Sequence, residues 1–186
     1  RSTEYVMMSG KNGYLNRKAQ FTSDGEEEDA DYEVDFFLPS VTVPVLVDNV
    51  FYDYNQASLR EESFPALDNL YQVLIDNPYT QIELSAHTDR IGSQEFNIEL
   101  SQRRAQSVCE YLISKGIDPQ RLVPVGYGKE VPKTVDEAIA RQYNWPVGQL
   151  LDETFIETLD EEQKKYADQI NRRTEFKVLT TTLGLQ

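Results

Sequence analysis

The chain has 186 residues, 39% of them hydrophobic and 27% charged, with eleven tyrosines and a formal net charge of −14. That is enough apolar sequence for one domain with a proper core plus additions. The acidic balance argues against nucleic acid and anionic lipid headgroups as partners, no apolar run approaches the length of a membrane span, and the single cysteine, Cys109, excludes an intrachain disulfide. The sequence starts at Arg1 without a signal peptide and reads as a mature or excised fragment.

Residues 1–44 read as an amino-terminal hairpin and linker. In Tyr32–Leu38 the residues Tyr32, Val34, Phe36 and Leu38 alternate with Glu33, Asp35 and Phe37, the period of a strand with one apolar face. The expected partner is the segment around Lys18–Phe21, with the acidic run Ser23–Asp31 as the connecting loop. The cluster Asp24, Glu26, Glu27, Glu28, Asp29 and Asp31 lacks the ligand spacing and glycine of an EF-hand, so a solvated loop is expected and no metal or cofactor.

Pro39 and Pro44 lead into the main unit, residues 45–186. Val45–Val47 lead to Val50, Phe51, Tyr52 and Tyr54, expected as a first strand. Phe64, Leu67, Leu70, Tyr71 and Leu74 then recur at helical spacing, begun by Ser63, with Pro65 tolerable only in the first turn and Pro78 beyond the end. Thr80–Ala86 alternates as a half-buried strand. A polar loop with Gly92, Ser93 and Asn97 follows, and Leu100, Ala105, Val108, Tyr111 and Leu112 form a second helical stripe stopped near Gly116. Arg121–Tyr127 and Glu175–Thr180 supply two more strands. The order predicts an α/β (α+β) fold: a two-layer sandwich with a mixed sheet in βαβαβ-β order and helices on one face. A partly helical insertion, about 129–170, precedes the last strand. It holds Trp145, which either anchors the insertion to its own domain or contacts a partner, the former being favoured.

One stretch breaks the pattern. At about 100° per residue, Arg104 falls inside the apolar stripe between Leu100 and Val108, whereas Arg103 falls outside. A guanidinium facing a packed layer needs an anionic or strongly accepting partner. Asp89, just past the end of the preceding strand, can face the same place. The residues alone allow two readings, an internal Asp89–Arg104 salt bridge or a ligand cleft holding one charge of each sign.

The motif His87-Thr88-Asp89, then Asn97, Leu100-Ser101, Arg104-Ala105, Val108 and Leu112, continued by Gly126-Tyr127-Gly128 and Asn171-Arg172-Arg173, resembles the peptidoglycan-binding domain of the OmpA family. That family is shared with peptidoglycan-associated lipoproteins and flagellar stator proteins. The Phe51-Tyr52-Asp53-Tyr54 segment is similar to its opening strand. The resemblance implies non-covalent binding of the diaminopimelate in a cell-wall stem peptide: Asp89 would receive its ammonium and Arg104 its side-chain carboxylate, aided by backbone N–H groups in Arg90–Asn97. It further implies Arg172 or Arg173 as a pocket residue, without a choice between them. Thr88 and Leu100 are expected to shape the pocket, Asn97 to brace the loop and His87 to be structural.

The implied setting is the periplasm of a Gram-negative cell, anchoring an outer-membrane-associated protein to the wall; if that protein is a lipoprotein, its acylated cysteine is expected upstream. The amino-terminal segment weakly resembles the last strands of a β-sandwich that precedes such domains in Bacteroidetes. The alternative is an interaction module for an envelope assembly, such as type IX secretion machinery, docking through the insertion and the amino-terminal hairpin, with wall binding secondary. In that reading deletion of Glu130–Asp168 spares wall binding. One histidine and one helical cysteine supply no nucleophile–base pair, so no enzyme is expected.

Overall fold

A computed structural model describes residues 2–23, 31–53 and 55–184. Its sheet contains β3 (Val45–Leu46), β4 (Gln81–His87), β5 (Leu122–Gly128) and β6 (Thr174–Thr180) in the order β3-β6-β4-β5. β4 runs parallel to β5 and antiparallel to β6, and β3 is antiparallel to β6. The sheet is therefore mixed, as the element order predicts.

Registers explain which face is covered. Leu84 pairs with Phe176 and Ile82 with Val178, so these four side chains share a face. That face packs against α1 (Phe64–Asp76) through Leu67, Leu70, Val73 and Leu74, and against α2 (Gln94–Ser114) through Val108, Cys109 and Leu112. Pro65 lies in the first turn of α1, where its missing N–H costs nothing. The opposite parity of β4 carries Glu83, Ser85 and His87, and its register partners Lys177 and Glu175 keep that face polar.

The expected first strand over Val50–Tyr54 is not one in its described residues, 50–53, and Tyr54 lies outside the described residues. The ladder to β6 stops after Leu46, with one further bond from the Val47 amide to the Thr174 carbonyl. Asn49 then adopts a left-handed conformation, φ 59°, and turns the chain away from the sheet. Phe51 is held by Ser63, whose Oγ accepts from the Phe51 amide at 2.7 Å and donates to its carbonyl at 2.9 Å. Tyr52 keeps only an isolated bridge with Leu59. Residues 51–53 and 55–60 thus form no extended strand, and the Tyr52 hydroxyl meets Thr174 Oγ1 at the start of β6.

The amino-terminal hairpin also differs. β1 (Thr3–Ser9) pairs with β2 (Arg17–Ser23) over seven residue pairs, whereas residues 31–39 form no strand. Tyr32 instead packs on Phe21, which stacks on Tyr5. The acidic residues 24–30 lie outside the described residues. The hairpin is fastened to α1: the Lys18 amide donates to Asp76, and Asn16 and Asn77 exchange two bonds. Leu15 enters the main core.

The insertion folds into α3 (Glu137–Tyr143), α4 (Glu153–Glu157) and α5 (Glu161–Asn171). Asp136, Asp152 and Asp160 cap the three amino termini with their side chains. A small core of its own contains Val135, Trp145, Leu151, Ile156 and Ala167. Trp145 is 5% exposed and stacks on Tyr143 at 4.8 Å, so it is a core residue of the insertion itself and neither a surface contact nor a tie to the main core.

Candidate ligand-binding site

The site begins where β4 ends. Between Ala86 and His87 the register with β5 slips, so that Ala86 faces Gly126 and His87 faces Gly128. A bulge at a strand end re-aims the chain that follows. The Thr88 amide then donates to the Gly128 carbonyl at 2.9 Å, and Thr88 Oγ1 to the Asp89 carbonyl. Asp89 emerges at the mouth of a cleft.

The loop after Asp89 is bound by its own polar groups. Asp89 Oδ1 accepts from the Ile91 amide at 3.0 Å, Ser93 caps α2 by accepting from the Phe96 amide, and Asn97 Nδ2 donates to the Ile91 carbonyl at 2.9 Å. Asn97 is 2% exposed and braces the loop. The helix starts at Gln94, so Asn97 sits in its first turn and not in the preceding loop. The amides of Ile91, Phe96 and Asn97 are already engaged inside the protein. The expected backbone donors toward a ligand are reduced accordingly.

Arg104 lies on the inner stripe of α2 and is half-buried, while Arg103 is exposed. Its guanidinium sits over the Tyr52 ring at 4.8 Å, and its Nε donates to the Gln56 carbonyl at 3.0 Å. Burial lowers its pKa from the ordinary value, with the neighbouring Tyr52 and Asp89 opposing that shift. Burial pushes the Tyr52 phenol up to about 12, against the bond to Thr174 and the charge of Arg104, so Tyr52 stays neutral. Among the described residues no carboxylate lies within 4.0 Å of Arg104, and its two terminal nitrogens have no hydrogen-bond partner. The internal Asp89–Arg104 salt bridge does not form.

Asp89 has a different cation. Arg172, at the carboxyl-terminal end of α5, donates through Nη1 to Asp89 Oδ2 and through Nη2 to Gln169. Arg173 turns inward: its Nε lies 3.0 Å from Glu175 Oε1 and its side chain is 6% exposed. The pair left open by the sequence is thus separated, with Arg172 beside Asp89 and Arg173 committed to a buried partner.

Tyr52, Thr88, Asp89, Asn97, Leu100, Arg104 and Arg172 line one open cleft of about 580 Å³, together with Phe96 and Ile91. Leu100 is buried at its floor, 4% exposed. Sequence reasoning missed Tyr52 and Gln56 as partners of Arg104, because the loop that carries them reads as a strand. Behind the cleft, His87 stacks on Tyr127 and lies 3.6 Å from Glu175. Glu175 is already matched by Arg173 and by Lys133 at 3.2 Å. Burial, with the Arg173 charge, therefore lowers the His87 pKa to about 4, and the ring is neutral. Burial raises the Cys109 thiol to about 12.

The insertion reaches this site. Arg90 pairs with Glu157 and Asp168, Lys129 Nζ donates to the carbonyls of Arg90 and Gly92, and Gln94 bonds to Glu130. The expectation that residues 130–168 are separable from the cleft does not fit these contacts.

A family model described as "OmpA family" matches residues 51–144, which include Asp89 and Arg104 and stop short of Arg172. Outer membrane protein A of Escherichia fergusonii is 43% identical over 91 residues, 48% of this chain and 37% of that protein. Outer membrane protein P5 of Haemophilus influenzae is 33% identical over 103 residues, 52% of this chain and 29% of that protein. The chain thus matches between 29% and 37% of the length of these relatives. The crystal structure of the peptidoglycan-associated lipoprotein from Burkholderia pseudomallei superposes with a TM-score of 0.50 at 23% identity, covering 69% of this chain and 87% of that one, a likeness of fold. With half of its residues matched by the family model, Asp89 and Arg104 among them, the chain belongs to the OmpA family.

Proposed function

We infer that the domain binds peptidoglycan non-covalently and anchors an outer-membrane-associated protein to the wall, through the diaminopimelate of the stem peptide. The observation that carries this reading is the cleft that Asp89 and Arg104 line together, with the terminal nitrogens of Arg104 free of hydrogen-bond partners among the described residues. Diaminopimelate offers an ammonium and a carboxylate at one end of its side chain. Asp89 receives the ammonium, and the terminal nitrogens of Arg104 receive the carboxylate in a planar, two-bond contact. Arg172 occupies Asp89 in the free protein and is 40% exposed, so it can exchange the Asp89 carboxylate for that of the ligand. Thr88 and Leu100 line the cleft, Asn97 holds the loop, and Arg173 supports the wall behind it.

Membership in a family that includes outer membrane protein A supports an envelope location, and no helix among the described residues is long and apolar enough to cross a membrane. Catalysis finds no support in the cleft, since the neutral His87 and the buried Cys109 thiol both lie outside its lining. An additional role in an envelope assembly, such as type IX secretion machinery, would use the exposed apolar residues of the insertion, Val131, Val147 and Leu150, and accompanies wall binding without replacing it.

Calorimetry with a stem peptide containing diaminopimelate, and with its lysine counterpart as control, tests the assignment. Saturable binding to the first alone is expected. Asp89→Ala and Arg104→Ala each remove a charged contact worth about 1.5–3 kcal/mol, a loss of roughly tenfold or more in affinity. Retention of sacculi by both variants at the wild-type level refutes the roles given to these residues.

A further inference from the structure

We propose that Arg90 is a positioning residue through which the insertion sets the affinity of the cleft; the binding half of this statement rests on the ligand reading above. Asp89 and Arg90 are neighbours that face opposite ways. Asp89 lines the ligand cleft, whereas Arg90 lines a separate cleft, about 360 Å³, between the loop and the insertion.

The Arg90 side chain is only 18% exposed and meets acids from two helices. Its Nη1 lies 2.8 Å from Glu157 Oε1 at the end of α4, and its Nε lies 3.4 Å from Asp168 Oδ1 in α5. Lys164 at 3.3 Å holds Glu157 in place from α5. Asp168 in turn accepts, through its backbone carbonyl, from the Arg172 amide at 3.1 Å, and the Arg172 side chain returns to Asp89. The path from Asp89 through Arg90, Asp168 and Arg172 back to Asp89 is therefore closed. The other end of the insertion grips the same loop through Lys129, which donates to the carbonyls of Arg90 and Gly92.

A solvent-exposed ion pair would matter little here, and Glu157 is 54% exposed, so the weight falls on Asp168, whose side chain is 13% exposed. A guanidinium shielded from water and shared between two helices fixes the backbone it leaves, and that backbone is the one that aims the Asp89 carboxylate. The insertion thus acts on the binding site from behind, since none of its own residues lines the cleft.

The test uses the whole chain with Arg90→Ala, Arg90→Lys and the double variant Glu157→Gln/Asp168→Asn. Solvent exchange of the Ile91 amide, which donates to Asp89, is measured by NMR without ligand, and affinity for a soluble diaminopimelate-containing muropeptide by calorimetry. In Arg90→Ala and the double variant, Ile91 exchange is expected to rise by about tenfold and the dissociation constant by roughly fivefold or more. Arg90→Lys keeps the charge and one ion pair and is expected to restore both to within about twofold. Unchanged Ile91 exchange in Arg90→Ala, or faster exchange with unchanged affinity, overturns the proposal. Absence of muropeptide binding by the wild type overturns the ligand reading and with it the affinity claim, while the Ile91 exchange still decides the positioning.

Discussion

Gly126→Ala tests whether the close approach of α2 to β5 sets the geometry of the site. A Cβ at Gly126 lies 2.2 Å from the Gln102 amide nitrogen, 2.6 Å from its Cα and 2.7 Å from Ser101 Oγ. Two of these are backbone atoms, so no rotamer change relieves them, and α2 must retreat by roughly an ångström to reach ordinary contact. The retreat stretches three bonds that join the elements: Gly126 amide to Gln102 Oε1 and Gly128 amide to Ser101 Oγ, both 2.8 Å, and Gln102 Nε2 to the Pro124 carbonyl, 3.1 Å. Overpacking costs about 1–3 kcal/mol and each weakened bond up to about 1 kcal/mol. A total near 3 kcal/mol lowers the melting temperature by roughly 6–12 °C for a chain of this size. Gly116→Ala is the internal control: its φ is +104° but nothing lies within 4 Å, so only backbone strain of about 1–2 kcal/mol applies. Thermal and urea unfolding of the two variants are compared. If Gly126→Ala is no less stable than Gly116→Ala, the steric argument is wrong. Because Arg104 rides on the same helix, the Gly126 variant is also expected to bind stem peptide more weakly, whereas the Gly116 variant is not.

Two further perturbations follow from buried groups. His87 has a folded pKa of about 4 against 6.5 unfolded, so acidification protonates the unfolded state first and stability falls from about pH 6.5 down to about 4, by up to about 3 kcal/mol. Burial raises the Glu175 pKa, but Arg173 and Lys133 outweigh it and the net shift is downward; its contribution is present above the ordinary carboxylate pKa and is lost as the pH falls through the folded value. Urea midpoints from pH 8 to 4 are expected to flatten above pH 4.5 in His87→Asn, and an unchanged slope counts against the assignment. Trp145→Ala empties the centre of the insertion's small core, at a cost of about 3–5 kcal/mol. Limited proteolysis is expected to cut within Glu137–Glu157 while α1, α2 and the sheet stay intact, and protection equal to wild type refutes this.

The helices and β4–β6 were legible because their patterns are local. Leu67, Leu70 and Leu74, or Ile82 and Leu84, repeat at the period of the element they occupy, and burial follows. β3 was not, since two residues carry no period and its place is decided by β6 across the sheet. The hairpin failed for the same reason: Tyr32–Leu38 alternates like a strand, but β2 took β1 as partner, a choice made by pairing and not by pattern. In the site, Arg104 was visible as a charge inside an apolar stripe. The division between Arg172 and Arg173 had a signal that went unused. Arg173 has the strand parity of Glu175, on the polar face, which leaves Arg172 at the helix end as the residue free to turn toward Asp89.

The arrangement fits an anchor better than a tight receptor. Two charged contacts contribute about 3–6 kcal/mol, which corresponds to dissociation constants from tens of micromolar to several millimolar. The remainder of the cleft adds little, because Asp89 must first give up Arg172 and the loop amides are already bonded internally. A single site of that strength lets go readily. On the proposed reading, a polymer that presents the same side chain at short intervals keeps the local ligand concentration high, so a released domain would rebind nearby, and several domains on one anchored assembly would hold through effective concentration. The net charge of −14 works in the same sense. It discourages non-specific adhesion to an anionic polymer, so on the proposed reading retention would rest on the half-buried Arg104 and on Asp89, whose interactions salt screens less than those of the exposed surface.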